Sequence, residues 1–357
     1  GARLIIAGSI ILMATTVNDI FYGEGKLDTM ILVPFGLFLF ILFQSYLLSA
    51  RSAAAFVAVE NLSAYLQNLN KALERFVPQE FLKFLNRASI VEVNLGDQVQ
   101  QEMTVLFSDI RSFTALSETM TPKENFDFLN AYLRRMSPII ATHKGFIDKY
   151  IGDAIMALFP RSAEDALQAS IDMQRQIIHY NQKRMAVGYR PIQIGIGLHT
   201  GTLMLGTIGG EDRMDGTVIA DAVNLASRME GLTKMYGAHI LITGATLERI
   251  PDHSKYHTRL LDQVKVKGKT EPVSVIEVLD GAPEEEVSLK LKTRQDFERA
   301  LALYLKPDFH AARLAFESVL EQNPGDAAAR LFASRCAYFE EHGVPPDWAG
   351  VVAMESK

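Results

Sequence analysis

From Met30 to Leu48 the chain carries no charged side chain (MILVPFGLFLFILFQSYLL), and no other feature restricts its fold as much. A helix of this length covers ~30 Å, the thickness of a bilayer's hydrocarbon core, so the segment reads as a transmembrane helix. Leu4 to Val17 is apolar but shorter, and because the chain starts at Gly1 rather than Met it reads as a longer span cut short. A signal peptide is the competing reading; it is disfavoured because Arg3 is the only basic residue at the start and no small-residue cleavage site follows cleanly. The connector holds Asp19, Glu24 and Asp28 against Lys26, whereas Arg51, Lys71 and Arg75 follow the second span. Cationic flanks stay in the cytoplasm. The expected location is therefore a multi-pass protein of the cytoplasmic (inner) membrane, with everything after residue 50 in the cytoplasm.

The remaining length calls for more than one further unit. Beyond Arg51 the apolar positions Ala55, Val59, Leu62, Leu66, Leu69, Leu73 and Phe76 advance in alternating steps of four and three. That is a heptad seam, favouring a parallel two-stranded coiled coil over a lone amphipathic helix, whose stripe would be broader. Pro78 ends it. A net charge of −6 without a basic block excludes a nucleic-acid partner. Cys336, the single cysteine, can form no internal disulfide and reads as a buried helix residue in a reducing compartment.

After residue 90 the pattern alternates strand, helix, strand, strand, helix, strand. Met103 to Ser108 is a short buried-strand run ending at Asp109. The next helix has a complete start signal: Thr121 as N-cap, Pro122 first, Glu124 closing a capping box. Its expected core face is Phe126, Leu129, Leu133, Met136 and Ile140, and Gly145 is placed to stop it. Strands at Phe146 to Tyr150 and Ala154 to Phe159 flank a Gly152-Asp153 turn, a helix occupies about 162–184, and Ile192 to Leu198 is another strand. The order predicts an α+β fold, a ferredoxin-like βαββαβ sandwich with helices on one face of an antiparallel sheet.

Two carboxylates sit where strands stop: Asp109 in FSDIRSFT and Asp153 in DKYIGDAIM. Acids are poor strand formers, and adjacent strand ends would gather hard oxygen donors suited to a divalent metal. Taken singly, each is better explained as a helix cap or turn residue. In GTVIADAVNLASRMEGLTKMYG, residues 216–237, Asn224 and Arg228 lie four apart on one helix face. Arginine's fork suits phosphate oxygens and asparagine can orient a sugar; the plain alternative is a solvated face. VKVKGKT, residues 264–270, puts Lys267 and Lys269 around a glycine, an anion-binding turn or simply a guarded edge strand. GKT at 268–270 lacks the upstream glycine of a phosphate loop, and Gly195, Gly197 and Gly201 fail dinucleotide spacing.

Taken together, FSDIRSFT, FIDKYIGDAIMALFP, GTVIADAVNLASRME and VKGK resemble the class III nucleotidyl cyclases, in order and spacing, over roughly residues 90–280. The resemblance implies an adenylyl cyclase that converts ATP to 3′,5′-cyclic AMP and pyrophosphate, with two Mg2+ or Mn2+ ions on Asp109, Asp153 and the carbonyl of Ile110. It implies a head-to-tail homodimer whose active sites lie between chains. Lys149 and Thr217 would read adenine, Asn224 position the ribose, Arg228 stabilise the transferring phosphoryl group, and Lys267 hold the terminal phosphates. Lys149 can donate to the unprotonated N1 of adenine and Thr217 can accept from its 6-amino group, which disfavours a guanylyl cyclase. Departures from the pattern are Thr217 where many members have Asp, and Ala220 and Ser112 where glycine is usual. The competing readings are a catalytically silent relay module, disfavoured because both aspartates, Asn224 and Arg228 are kept, and a membrane-tethered scaffold.

The two spans, with NDIFYGEG and VPFGLFLF, look similar to the last helices of bacterial seven-helix signalling receptors. Residues 283–357 form a helical tail in which Phe297, Ala300, Leu303, Tyr304, Phe309, Ala312, Phe316, Leu320 and Pro324 resemble one tetratricopeptide (TPR-like) repeat, turning near Lys306-Pro307-Asp308. One repeat cannot bury its own face. It packs on the cyclase unit, pairs with its twin or makes a protein contact, packing being the default, and Asp347-Trp348 anchors the end. The expected domains are thus 1–50 membrane helices, 51–89 coiled coil, 90–282 catalytic domain and 283–357 helical tail.

Overall fold

The computed structural model describes residues 2–73, 78–210, 212–265, 272–344 and 352–353. The chain divides into two compact units, 1–77 and 78–357.

In the first unit, α1 (Ala2–Gly23) and α2 (Val33–Leu73) are both long and apolar enough to cross a membrane. They approach closely at two glycines: a Cβ on Gly36 would come within 2.1 Å of Thr15 Oγ1, and one on Gly8 within 3.2 Å of the Phe43 ring. α2 begins three residues later than the apolar run because Pro34 is tolerated only in a first turn. Asp19, expected in the connector but placed in the last turns of α1, caps the start of α2, its carboxylate accepting from the free N–H groups of Leu32 and Val33 at 2.7 and 2.9 Å. The predicted span and the heptad segment form one unbroken helix, along which Val59, Leu62, Leu66, Leu69 and Leu73 are exposed. Arg75 and Phe76 lie outside the described residues.

The second unit opens with α3 (Gln79–Phe84) and β1 (Gln98–Ile110), continues through α4 (Phe113–Ser117), α5 (Pro122–Thr142), β2 (Phe146–Ile151) and β3 (Ala154–Phe159), and reaches α6 (Ala163–Ala186) and β4 (Ile194–Gly209). Strands β2, β3, β1 and β4 lie side by side in that order, all antiparallel. This is the order a βαββαβ chain gives when β3 is inserted between β1 and β2. β5 (Met214–Ile219) pairs with the outer half of β4. α7 (Asp221–Tyr236), β6 (Ile240–Thr243) and α8 (Gly244–Glu248) follow, and β6 runs parallel to β4. β7 (Thr258–Lys265) and β8 (Val273–Val278) extend the sheet. The chain then forms α9 (Glu284–Leu305), α10 (Phe309–Gln322) and α11 (Ala327–His342), and β9 (Val352–Ala353) pairs with β7.

The predicted capping box is present, Thr121 Oγ1 accepting from Glu124 N at 3.3 Å and Glu124 Oε2 accepting from Thr121 N at 2.8 Å. On the core face of α5, Met136 and Ile140 are buried and Leu129 and Leu133 pack on the same cluster as expected, and the one correction is Phe126. Phe128, Tyr132, Met136 and Ile140 are buried, a stripe of uniform four-residue steps, whereas Phe126 is 70% exposed. Gly145 is needed for space rather than for a helix stop: Lys144 takes the left-handed conformation (φ 62°), while a Cβ on Gly145 would strike the Phe159 ring at 2.4 Å.

The sheet is covered on both faces, not one. Leu106 and Ile110 of β1 join α5 and α6 in one cluster, while Met103, Val105 and Phe107 join Phe81 of α3 and Ala222 and Ala226 of α7 in another. The alternation of strand side chains requires a second cover once both sets are apolar. The C-terminal helices form a third cluster with α7 and the far strands, in which Leu225, Met229, Leu232 and Tyr236 meet Phe297, Tyr304, Phe316 and Phe332. Cys336 is buried there.

Candidate active site

Asp109 is the penultimate residue of β1, and Asp153 completes the two-residue turn between β2 and β3, where Gly152 supplies the positive φ of 64°. Because β3 pairs with β1, the two carboxylates meet at one end of the sheet. The Ile110 N–H donates to Asp153 Oδ2 at 3.2 Å. Burial, followed by the Asp153 carboxylate beside it, pushes the Asp109 carboxyl up to about 7.

A third acid stands near this pair. Glu230 of α7 is held up to about 7 by burial and then by the charge of Asp109, with Arg111 opposing. Its backbone reaches the sheet only because β4 has glycines there. A Cβ on Gly197 would lie 2.1 Å from Glu230 N, and one on Gly195, the cross-strand partner of Asp109, 2.9 Å from Glu230 Oε1. The glycines that failed as a dinucleotide motif therefore seat α7 against the strand. Arg111, one residue past Ile110, donates to the carbonyls of Thr233, at 3.2 Å, and Ala238. Sequence reasoning missed Glu230 and Arg111; the available signal was an acid between the buried positions Ala226, Met229 and Thr233.

The remaining sequence-derived residues lie on other elements. Asn224 is exposed and Arg228 half-buried on α7; among the described residues neither has a hydrogen-bond or ion-pair partner in the chain, and nothing links them to Asp109 or Asp153. Lys149 is exposed on edge strand β2, where the register skips a residue between Ile147 and Lys149. The skipped residue, Asp148, turns inward with its side chain 5% exposed, and its Oδ2 lies 3.3 Å from Lys149 Nζ. Thr217 is half-buried on β5, opposite Gly206 of β4. Lys267 and Lys269 lie outside the described residues.

Of the two residues that stand at usual glycines, one is strained and the other is not. Ser112 adopts the left-handed conformation (φ 55°, ψ 32°) and its side chain caps nothing. Ala220, the residue before α7, has φ −171°, extended backbone that any residue adopts, so alanine is accommodated without strain.

The donor set fits a hard divalent cation. It consists of two adjacent carboxylates that lack a balancing cation between them, plus main-chain oxygen, the kind of site Mg2+ occupies while keeping waters and substrate phosphates as its other ligands. Among the described residues no group of three or more His, Cys, Asp or Glu side chains forms a metal-binding cluster.

The fold with its strand-end carboxylates is that of a nucleotidyl cyclase catalytic unit: residues 95–277 match the model of the adenylate and guanylate cyclase catalytic domain, and the chain belongs to that family. It is 46% identical over 234 residues to an adenylate cyclase of Anabaena cylindrica, covering 62% of this chain and 47% of that protein. It is 39% identical over 279 residues to the terminal-differentiation specific adenylate cyclase of Dictyostelium discoideum, covering 76% of this chain and 13% of that protein. The chain thus spans under half the length of these relatives. A solved bacterial light-regulated adenylyl cyclase shares the fold with a TM-score of 0.55, at 24% identity over 68% of this chain and 69% of that one.

Proposed function

We infer that the chain is an adenylate cyclase, anchored in a membrane by α1 and α2, that closes ATP into 3′,5′-cyclic AMP and pyrophosphate at sites shared between two copies. The observation that carries this is the division of labour within one protomer. Asp109 and Asp153 are joined at a sheet end, whereas the proposed phosphate- and sugar-gripping pair Asn224 and Arg228 has no partner on α7 among the described residues. A head-to-tail second copy would bring the two halves together. The similarity to proteins named adenylate cyclase supports the choice of ATP.

In this reading Asp109, Asp153 and the Ile110 carbonyl hold two Mg2+ or Mn2+ ions. Bound there, the ions would activate the ribose 3′-hydroxyl and neutralise charge on the triphosphate. Lys149 donates to adenine N1 and Thr217 accepts from the 6-amino group. A site built from such bonds rejects the wrong base, which leaves buried polar groups unpaired. Asn224 orients the ribose, Arg228 meets the charge that develops on the transferring phosphoryl group, and Lys267 holds the terminal phosphates.

The exposed heptad positions on α2 fit a parallel coiled coil that pairs two chains below the membrane. The basic residues that follow the second span support a reading in which the catalytic unit lies in the cytoplasm, below a multi-pass anchor in the inner membrane. The C-terminal helices fit a TPR-like unit whose outer face is open to a protein partner.

The test is to supply the purified chain with ATP or GTP and Mn2+ and identify the cyclic product. Cyclic AMP is expected, and Lys149→Glu combined with Thr217→Cys is expected to lower ATP use and raise GTP use. No cyclic product would overturn the enzymatic reading. Unchanged selectivity in the double variant would remove Lys149 and Thr217 from base recognition.

A further inference from the structure

α7 is also gripped at its last turn, by strand β7 of the sheet and by the C-terminal helices. Tyr236 is 2% exposed and donates its hydroxyl to Asp262 Oδ2 of β7 at 2.6 Å. The other oxygen of this fully buried carboxylate accepts from Gln263 N at 2.7 Å. Arg335 of α11 donates to the same Oδ2 at 3.2 Å. Its guanidinium lies 5.2 Å from the centroid of Phe332, which in turn stacks on Tyr236 at 6.3 Å. Gly237 follows with φ 62°, and a Cβ there would come within 2.6 Å of Ala327 Cβ at the start of α11.

α7 is thus fixed twice. Its middle lies on β4 at backbone contact through Gly197, and its end is tied by three directional groups to β7 and α11. Ring stacking alone would let the helix turn about its axis, whereas a hydroxyl, a carboxylate and a guanidinium bonded in sequence fix that rotation. A helix rises 1.5 Å per residue, so a shift at Tyr236 is delivered to Arg228 about 12 Å away.

We propose that Tyr236, Asp262 and Arg335 are positioning residues that set the rotation and tilt of α7, and that the C-terminal helices are through them a working part of the catalytic unit. The proposal rests on the assignment of Asn224 and Arg228 to the substrate. The docked tail has a consequence that a passive anchor lacks: movement of α11 changes where Arg228 points without touching the nucleotide.

The experiment compares the full chain with Tyr236→Phe, Arg335→Met and Arg335→Lys, reading kcat and KM for ATP, the inhibition constant for pyrophosphate, and the melting temperature. Tyr236→Phe keeps the ring and its packing, so it isolates the hydroxyl. Asp308→Ala is the control; it removes the carboxylate that accepts from Ala311 N at 3.2 Å and so weakens the start of α10 within the same helical unit. Tyr236→Phe and Arg335→Met are expected to lower kcat on the order of tenfold and to weaken pyrophosphate inhibition by a similar factor, the scale of a misplaced reacting group. Arg335→Lys should recover part of both. The inhibition constant does not depend on the fraction of enzyme folded, so a loss of stability alone leaves it unmoved. Wild-type kcat and pyrophosphate inhibition in Tyr236→Phe and Arg335→Met, or the same losses in Asp308→Ala, overturn the proposal. A wild-type chain that makes no cyclic nucleotide overturns the functional reading and this inference together, whereas an active wild type separates them.

Discussion

Two groups of charge in the catalytic unit, one buried and one half-buried, are resolved in opposite ways. At the far strands, Arg259 of β7 has no exposure and is held by Glu277 at 2.7 Å and by Asp326 at 2.5 Å, while Lys290 of α9 reaches the other oxygen of Glu277 at 2.7 Å. Every ion there faces an opposite charge. At the other group, Asp109 stands beside Asp153 with Glu230 nearby, like charges with Arg111 offset toward the end of α7. The balanced group joins strands to helices and needs nothing more. The unbalanced one stores repulsion that a bound cation would relieve, which is the mark of a site rather than of a strut.

The sharpest way to separate the two is to neutralise one member of each. Asp109→Asn keeps the side chain's shape but removes the carboxylate proposed to hold a cation, and cyclase activity is expected to fall by about a hundred- to a thousandfold, the scale of losing a main electrostatic stabiliser. Stability should move the other way. The raised carboxyl of Asp109 takes up its proton more readily in the folded chain than in the unfolded one, so its penalty on the fold is absent below the unfolded value and fully present above about 7. The metal-free variant at pH 8 should therefore melt no lower than the wild type, and Mn2+ should raise the melting temperature of the wild type only. A variant that melts well below the metal-free wild type would make Asp109 a structural residue.

Arg259→Met reverses that pattern. Removing one partner of a buried cluster leaves carboxylates without compensation and typically costs about 3–5 kcal/mol. A large drop in the melting temperature of the detergent-solubilised chain is expected, together with exposure of the C-terminal helices to protease, because Asp326 starts α11 and Lys290 belongs to α9. A melting temperature within a degree or two of the wild type would mean that the apolar cluster around Phe297 and Phe332 holds these helices without the ions.

The same contrast explains what could be read in advance. The acid pair was legible because each carboxylate sits in a short local pattern, a strand run that stops at Asp109 and a tight turn at Asp153. Arg259 was not, since its partners lie 18 and 67 residues away and no periodicity links them. Start signals of α5 survived because capping is local, and Leu129, Leu133, Met136 and Ile140 of its expected face do meet the core, but Phe126 at the first turn is exposed and Phe128, two residues on and so on the other side of the helix, is buried in its place. The second cover of the sheet was hidden for another reason. It depends on Gly195 and Gly197, whose meaning appears only once α7 is laid across β4. The tail's apolar positions were visible, but the surface they would bury against was not.

The smallest expected effect tests the strand-end site from its backbone. Ser112 holds a left-handed conformation two residues past Ile110, and its hydroxyl makes no capping bond in return. A side chain in that region costs roughly 1–2 kcal/mol relative to glycine, and the looser unfolded chain of a glycine variant gives back up to about 1. Ser112→Gly should therefore raise stability by about 0–2 kcal/mol and leave the carboxylates where they are, so kcat should stay within about twofold of the wild type. A change in Mn2+ dependence with unchanged stability would show instead that the strain at Ser112 sets the spacing of Asp109 from Asp153, and would move this residue from the scaffold into the working machinery of the unbalanced group.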